Sequence, residues 1–238
     1  DGIRDYKVTG VQTCALPISP EKVSLIHSRT GENLQGFIDA KLLTGVVRNV
    51  LYDRLLSTLV PLAIEEAYAG NYQMLASLAL VFAPESPIIN IGMMASVLCA
   101  EDMQLTTSAS PTSRFDNQIY DLLGPVCEFW PQGAVPDNYF DPVRSDVPTL
   151  LLSGALDPVT PPKYAWEAAE TLSNVEHVVV AGVGHGVSLQ GCVPGIIADF
   201  FSDPVPAKVN AGCTANLGRM SFFTSYAGPV PMKDEEDD

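Results

Sequence analysis

Short apolar runs alternate with amphipathic stretches along most of this chain. Thr149–Ser153 is an apolar run bounded by Pro148 and Gly154, the form taken by a buried parallel strand. Tyr164–Leu172 follows with helical composition, and Trp166, Ala169 and Leu172 are spaced for one helical face. His177–Ala181 reads as a second strand. The connections carry turn chemistry: Pro158, Pro161 and Pro162 after the first strand, and the glycines of GVGHG after the second. Strand, loop, helix, strand, loop in this order predicts a βαβ unit with parallel strands.

Upstream the pattern changes. Val23–Phe37 alternates around RTGEN, which predicts two short strands with a turn at Gly31. Asp39 is placed to cap a helix with apolar positions Leu42, Leu43, Val46, Val47 and Val50. Leu55–Ala69 continues helically, with Pro61 in a first turn and Gly70 as a stop. Asn71 caps a further helix that Pro84 terminates, and Phe115–Trp130 is a weaker helical pattern broken by Gly124 and Pro125. Cys192–Phe201 reads as a final helix packed on the sheet, and Val205–Leu217 as a link to Cys213. Residues 219–232 predict irregular surface structure, and the closing DEEDD a solvated tail.

Two residues in the βαβ unit carry candidate chemistry. Asp157 lies just past the first strand and His185 just past the second. Open α/β sheets form their sites beyond the carboxyl ends of their strands. A carboxylate on one imidazole nitrogen fixes the tautomer, and the other nitrogen is then free to take a proton. Taken singly, Asp157 reads as the cap of its turn and His185 as a loop histidine. Their joint placement, about thirty residues apart, points to an acid–base pair.

The stretches CEFWPQGAVPDNYFDPVRSDVPTLLLSGALDPVTPP and HVVVAGVGHGVSLQGC, followed by Cys213, resemble secreted tripeptidyl aminopeptidases and proline iminopeptidase-like serine hydrolases of the α/β-hydrolase fold. RTGENLQGFIDAKLLTGVVRNVLYDRLLSTLVPLAIEEAYAGNY and SVLCAED resemble the cap region of that group. The resemblance implies an α/β fold: the last parallel strands and flanking helices of an α/β-hydrolase, plus a mainly helical cap. A separate helical domain would show a similar upstream pattern. The implied organisation is a cap over residues 19–135, a hydrolase segment with the Asp and His loops over 136–218, and an irregular acidic tail over 219–238.

The implied function is a serine exopeptidase acting on peptide N-termini, with Asp157 and His185 as acid and base of a Ser-Asp-His triad. The alternatives are another α/β-hydrolase, such as an esterase, or a noncatalytic binding domain. No cofactor is implied; the expected partner is a peptide or small amide or ester substrate. Glu101 and Asp102, beside Cys99, are candidates to hold the substrate's free ammonium, or else a solvated pair of surface acids.

The nucleophile is not legible. A nucleophile elbow reads G-x-S-x-G on a strand-to-helix turn, and no such pentapeptide occurs here. Ser188, in GHGVSLQG, has the wrong glycine spacing and follows the histidine. Ser153 has no glycine two residues before it. Both read as structural, so the chain is expected to be the second half of an enzyme, inactive alone. The opening DGIRD and VTGVQTCALPI resemble the translated constant parts of a sequencing adapter, with Tyr6 and Lys7 at the position of the variable index. Asp1–Ile18, Cys14 included, is therefore expected to be an artefact and is set aside from the fold.

Composition narrows the picture further. A hydrophobic share of 47% allows a packed core. A net charge of −15 argues against a nucleic-acid partner, whose phosphates need Lys and Arg. No apolar run reaches membrane-span length, and nothing in the pattern assigns an oligomeric state. Cys99, Cys127, Cys192 and Cys213 lack C-x-x-C spacing, which disfavours zinc. Four cysteines allow three pairings; the family resemblance implies Cys99–Cys127 and Cys192–Cys213. Disulfides imply an oxidising compartment, hence a secreted or periplasmic protein. Four buried thiols in a cytosolic enzyme are the alternative.

Overall fold

The computed structural model describes residues 20–81, 90–104 and 118–229. The expectations for Asp1–Ile18, Pro84, Phe115–Asn117 and the terminal acidic run fall outside these residues. The chain divides into two compact units. One comprises Asp1–Leu78 with Pro142–Asp238, and the other is Ala79–Asp141.

In the first unit, β1 (Glu21–Ile26) and β2 (Asn33–Ile38) form an antiparallel hairpin in which Glu21 faces Ile38 and Ile26 faces Asn33. Gly31 turns it with φ 74°, a left-handed conformation that glycine adopts without a Cβ penalty. Asp39 caps α1 (Ala40–Val50), its Oδ1 accepting the Leu42 N–H at 2.7 Å. Leu43, Val46 and Val50 of the predicted apolar set are buried, whereas Leu42 is exposed and Val47 only half-buried. The next stretch opens as a 3-10 turn, Leu56–Leu59, before α2 (Val60–Tyr68). Asp53 Oδ1 takes the Leu55 and Leu56 N–H groups at 2.8 and 2.7 Å, which satisfies the free donors of that tight turn. Asn71 Oδ1 accepts the Gln73 N–H at 3.2 Å ahead of α3 (Gln73–Val81). The Gln73 amide then closes on the Ile26 backbone, accepting its N–H at 2.8 Å and donating to its carbonyl at 2.6 Å. Two backbone groups of the hairpin are thereby paired.

The same unit holds β3 (Thr149–Gly154) and β4 (Val175–Val180), parallel and in register from Thr149 opposite Val175 to Gly154 opposite Val180. Helix α6 (Pro162–Ala169) crosses between them. It starts two residues earlier than the composition predicts, because Pro162 suits a first helical turn. It also stops short of Leu172, which instead bridges in parallel to Ser145. The predicted apolar face is corrected too: no residue of α6 is buried, and Trp166 is 58% exposed. β4 likewise begins at Val175, ahead of His177, since the ladder is already opened by Thr149 N–H donating to Asn174 O at 2.9 Å. Val178 and Val180 on β4 pack with Val183, Val187 and Val193 into one core. Val193 begins α7 (Val193–Ser202), so the final helix seals this core. Each fully buried valine stabilises the fold by roughly 1.5–3 kcal/mol.

In the second unit, α4 (Ile91–Ala100) is capped by Asn90, which accepts the Met93 N–H at 3.0 Å. α5 (Gln118–Cys127) packs on it through the buried residues Ala95, Cys99 and Leu123. The expected break at Gly124–Pro125 does not occur: α5 runs through both. Pro125 sits in the last turn, where it removes a single helical hydrogen bond. Burial of Leu123 and the Cys99–Cys127 bridge hold that turn in place. Trp130 Nε1 donates to Ser96 Oγ at 3.0 Å and closes the unit beyond the helix.

Candidate active site

The loop after β3 is pinned to the loop after β4. Ala155 N–H donates to Val180 O at 3.0 Å and Leu156 N–H to Val183 O at 2.9 Å. Gly154 permits this crossing, since a Cβ there would collide with the backbone carbonyls of Val183 and Gly184. Asp157 and His185 are thus set side by side at the carboxyl ends of adjacent parallel strands.

Asp157 is 8% exposed and uses both carboxylate oxygens. Oδ1 accepts the Val159 and Thr160 N–H groups at 2.8 and 2.9 Å. Oδ2 accepts the Thr160 hydroxyl at 2.9 Å and lies 2.9 Å from His185 Nδ1. One carboxylate therefore caps its own turn and holds the imidazole, so the two sequence readings of Asp157 coexist. Burial pushes its pKa up, but the N–H groups of Thr160 and Val159, His185 and the Thr160 hydroxyl outweigh burial and leave it below the ordinary value. The His185 side chain is 39% exposed. The Tyr52 ring meets the imidazole edge-on, centroids 5.2 Å apart. With Nδ1 engaged by Asp157, Nε2 is the nitrogen left to exchange a proton.

Thr160→Val removes one donor to a buried carboxylate without changing its shape. It is expected to cost about 2 kcal/mol at neutral pH, with Thr160→Ser recovering most of the loss. A depressed folded pKa contributes stability that is present above the unfolded value of 3.8 and is lost as pH falls through the folded pKa. The stability difference between the native chain and Thr160→Val should accordingly shrink well below pH 3.8. Urea unfolding across that range reads it; a pH-independent difference contradicts it.

The other sequence candidates lie as follows. Ser188 is in the 3-10 turn Val187–Leu189, just after His185. Ser153 is buried, with Oγ 3.0 Å from His177 Nε2. This serine–histidine pair is not legible from local sequence, and among the described residues it has no orienting acid: His177 Nδ1 is buried with no partner there. Burial lowers the His177 pKa, against the charge of Glu176, so the ring is held neutral between the strands and the edge of Trp166. Glu101 ends α4, its Oε2 accepting the Tyr139 hydroxyl at 2.6 Å, and Asp102 opens the 3-10 turn Asp102–Gln104. That hydrogen bond is the main cause of the raised Tyr139 pKa. Cys99 bridges Cys127 with a Cα separation of 5.2 Å, and Cys192 bridges Cys213 at 6.5 Å, both within disulfide range. Among the described residues no helix is long and apolar enough to cross a membrane.

Residues 111–213 match the family model described as TAP-like protein, an abhydrolase family. The match spans the loops of Asp157 and His185 together with Cys127, Cys192 and Cys213; Cys99, Glu101 and Asp102 lie upstream of it. It supports an α/β-hydrolase-like family and a hydrolase activity, and the parallel strands are compatible with an α/β fold. Neither curated proteins nor solved structures gave a match.

Proposed function

We propose that this chain supplies the acid and base of a serine exopeptidase whose nucleophile lies on a segment outside its 238 residues. The 2.9 Å pairing of Asp157 Oδ2 with His185 Nδ1 carries the reading, since it leaves Nε2 as the proton acceptor. In the reaction His185 Nε2 takes the proton of a serine hydroxyl as its oxygen attacks the substrate carbonyl carbon. The resulting imidazolium, held by Asp157, returns that proton to the departing amine nitrogen as the C–N bond breaks. Water then attacks the acyl-enzyme, losing a proton to Nε2, which returns it to the serine oxygen as the acyl C–O bond breaks. Among the described residues β3 and β4 form a sheet of two parallel strands, whereas parallel sheets are ordinarily wider and covered on both faces. The strands that would complete it are assigned to the same segment as the serine elbow. Residues 19–135 would act as cap and 136–218 as the hydrolase segment, with 1–18 foreign to the fold. The two disulfides fit a secreted or periplasmic location.

The exopeptidase assignment adds Glu101 and Asp102 as acceptors for the substrate's ammonium. A protein joining this chain to the serine-bearing segment tests it with aminoacyl or tripeptidyl amides and their N-acetylated counterparts. Free-amine substrates are expected to be preferred by about tenfold or more, with Glu101→Gln narrowing the preference through KM. Equal cleavage of blocked amides, or cleavage of esters alone, goes against an aminopeptidase and leaves a hydrolase of other specificity.

A further inference from the structure

A cavity of about 300 Å³, within the range of small-ligand sites, lies beside the loops that carry Asp157 and His185, although neither residue lines it. Leu156 and Gly184, the residues directly before Asp157 and His185, line it. Pro61 and Phe222 add apolar wall, and the charged lining residues are Arg54 and Arg219. No carboxylate lines it among the described residues, in a chain with 28 acidic residues against 13 Lys and Arg. Arg219 stacks on Phe222, its guanidinium carbon 3.8 Å from the ring centroid. Arg54 donates through Nη2 to Gly218 O at 2.6 Å, which ties it to the backbone beside Arg219. Its Nε is buried with no hydrogen-bond partner among the described residues. An unpaired buried donor is costly, which favours an acceptor near Arg54.

We infer that this cavity is a specificity subsite for a carboxylate carried on an apolar group. This deepens the proposed hydrolase reading: the substrates favoured are short peptides or small amides with a free carboxylate close to the scissile bond. Guanidinium groups match the planar, bidentate geometry of a carboxylate, while the apolar walls select what carries it. The fixed Nη2 bond leaves Arg54 pre-oriented, so little side-chain freedom is lost on binding.

The test is direct binding to the 238-residue chain with its disulfides oxidised, followed by calorimetry and by NMR of the arginine Nε–H groups. The probes are N-acetyl-leucine, its neutral amide and inorganic phosphate. The acid is expected to bind about tenfold or more tighter than the amide and to shift the Arg54 Nε–H signal. Arg219→Gln should weaken the acid by about tenfold and leave the amide unchanged. Arg54→Gln also removes the donor to Gly218, so the exposed Arg219 carries the decision if that variant misfolds. Equal affinity for acid and amide, or unchanged binding in Arg219→Gln, overturns the inference. So does phosphate binding without the acid, or no binding by a chain whose His185 Nδ1 proton signal shows the site intact. No turnover is involved, so failure here leaves the acid–base reading standing. Conversely, binding in a protein that never hydrolyses would sink that reading and keep the anion site.

Discussion

His185→Ala, in the protein that joins this chain to its serine-bearing segment, is expected to lower kcat by at least about 10⁴-fold. KM should change little. In the proposed mechanism the imidazole does two jobs: it accepts the serine proton and then delivers it to the leaving group. Alanine removes both, and no other described residue is placed to substitute. His177 is engaged with Ser153, burial lowers its pKa, and its other nitrogen has no partner among the described residues. Asp157→Asn should cost a similar factor by a different route. Its side chain would retain a turn-capping oxygen for Val159 and Thr160. The amide cannot hold the imidazole in the required tautomer while also stabilising its charged form. A loss under tenfold for either variant would mean that the pair orders the two loops without serving the chemistry.

Removing the disulfides should have the largest effect on stability. The bridges close sequence separations of 28 residues, for Cys99–Cys127, and 21 residues, for Cys192–Cys213. On the chain-entropy model each contributes about 3–4 kcal/mol, a large part of the roughly 5–15 kcal/mol that holds a domain folded. The second bridge has an added packing role. Cys192 is the N-cap of α7, and the fully buried Val193 follows it. Cys213 lies in the 3-10 turn Gly212–Asn216, from which Leu217 packs onto the valine core. Cys192→Ser with Cys213→Ser should therefore shift the urea midpoint further than Cys99→Ser with Cys127→Ser, and reductant should bring the native chain toward the combined loss. A midpoint insensitive to reductant would rule out the bridges as stabilising elements.

The two loops that meet at Asp157 and His185 are legible because their signals are local. Apolar runs ended by glycine or proline mark strands, and parallel pairing follows from the helix between them. The structure departs from the sequence pattern where distant partners override it. Leu172 continues the helical spacing of Trp166 and Ala169, yet pairs with Ser145, which lies before the first strand of the βαβ unit. Gly124 and Pro125 disfavour helix by propensity, but a buried leucine and a disulfide keep α5 intact. The Ser153–His177 contact follows from register: Leu151 opposes His177, so Ser153, two residues on, shares its face. That signal appears only once the strand pair is aligned. Arg54 and Arg219 meet one cavity from opposite ends of the chain, and no window of sequence contains both.

The acid–base assignment is tested most directly by labelling with a serine-reactive fluorophosphonate and mapping the modified residue. The 238-residue chain alone should show neither label nor amide turnover, since it contains no nucleophile elbow. The joined protein should be labelled at one serine within a G-x-S-x-G segment, and His185→Ala should abolish that label. Label at Ser188 or Ser153 of this chain, or turnover by the chain alone, would contradict the account.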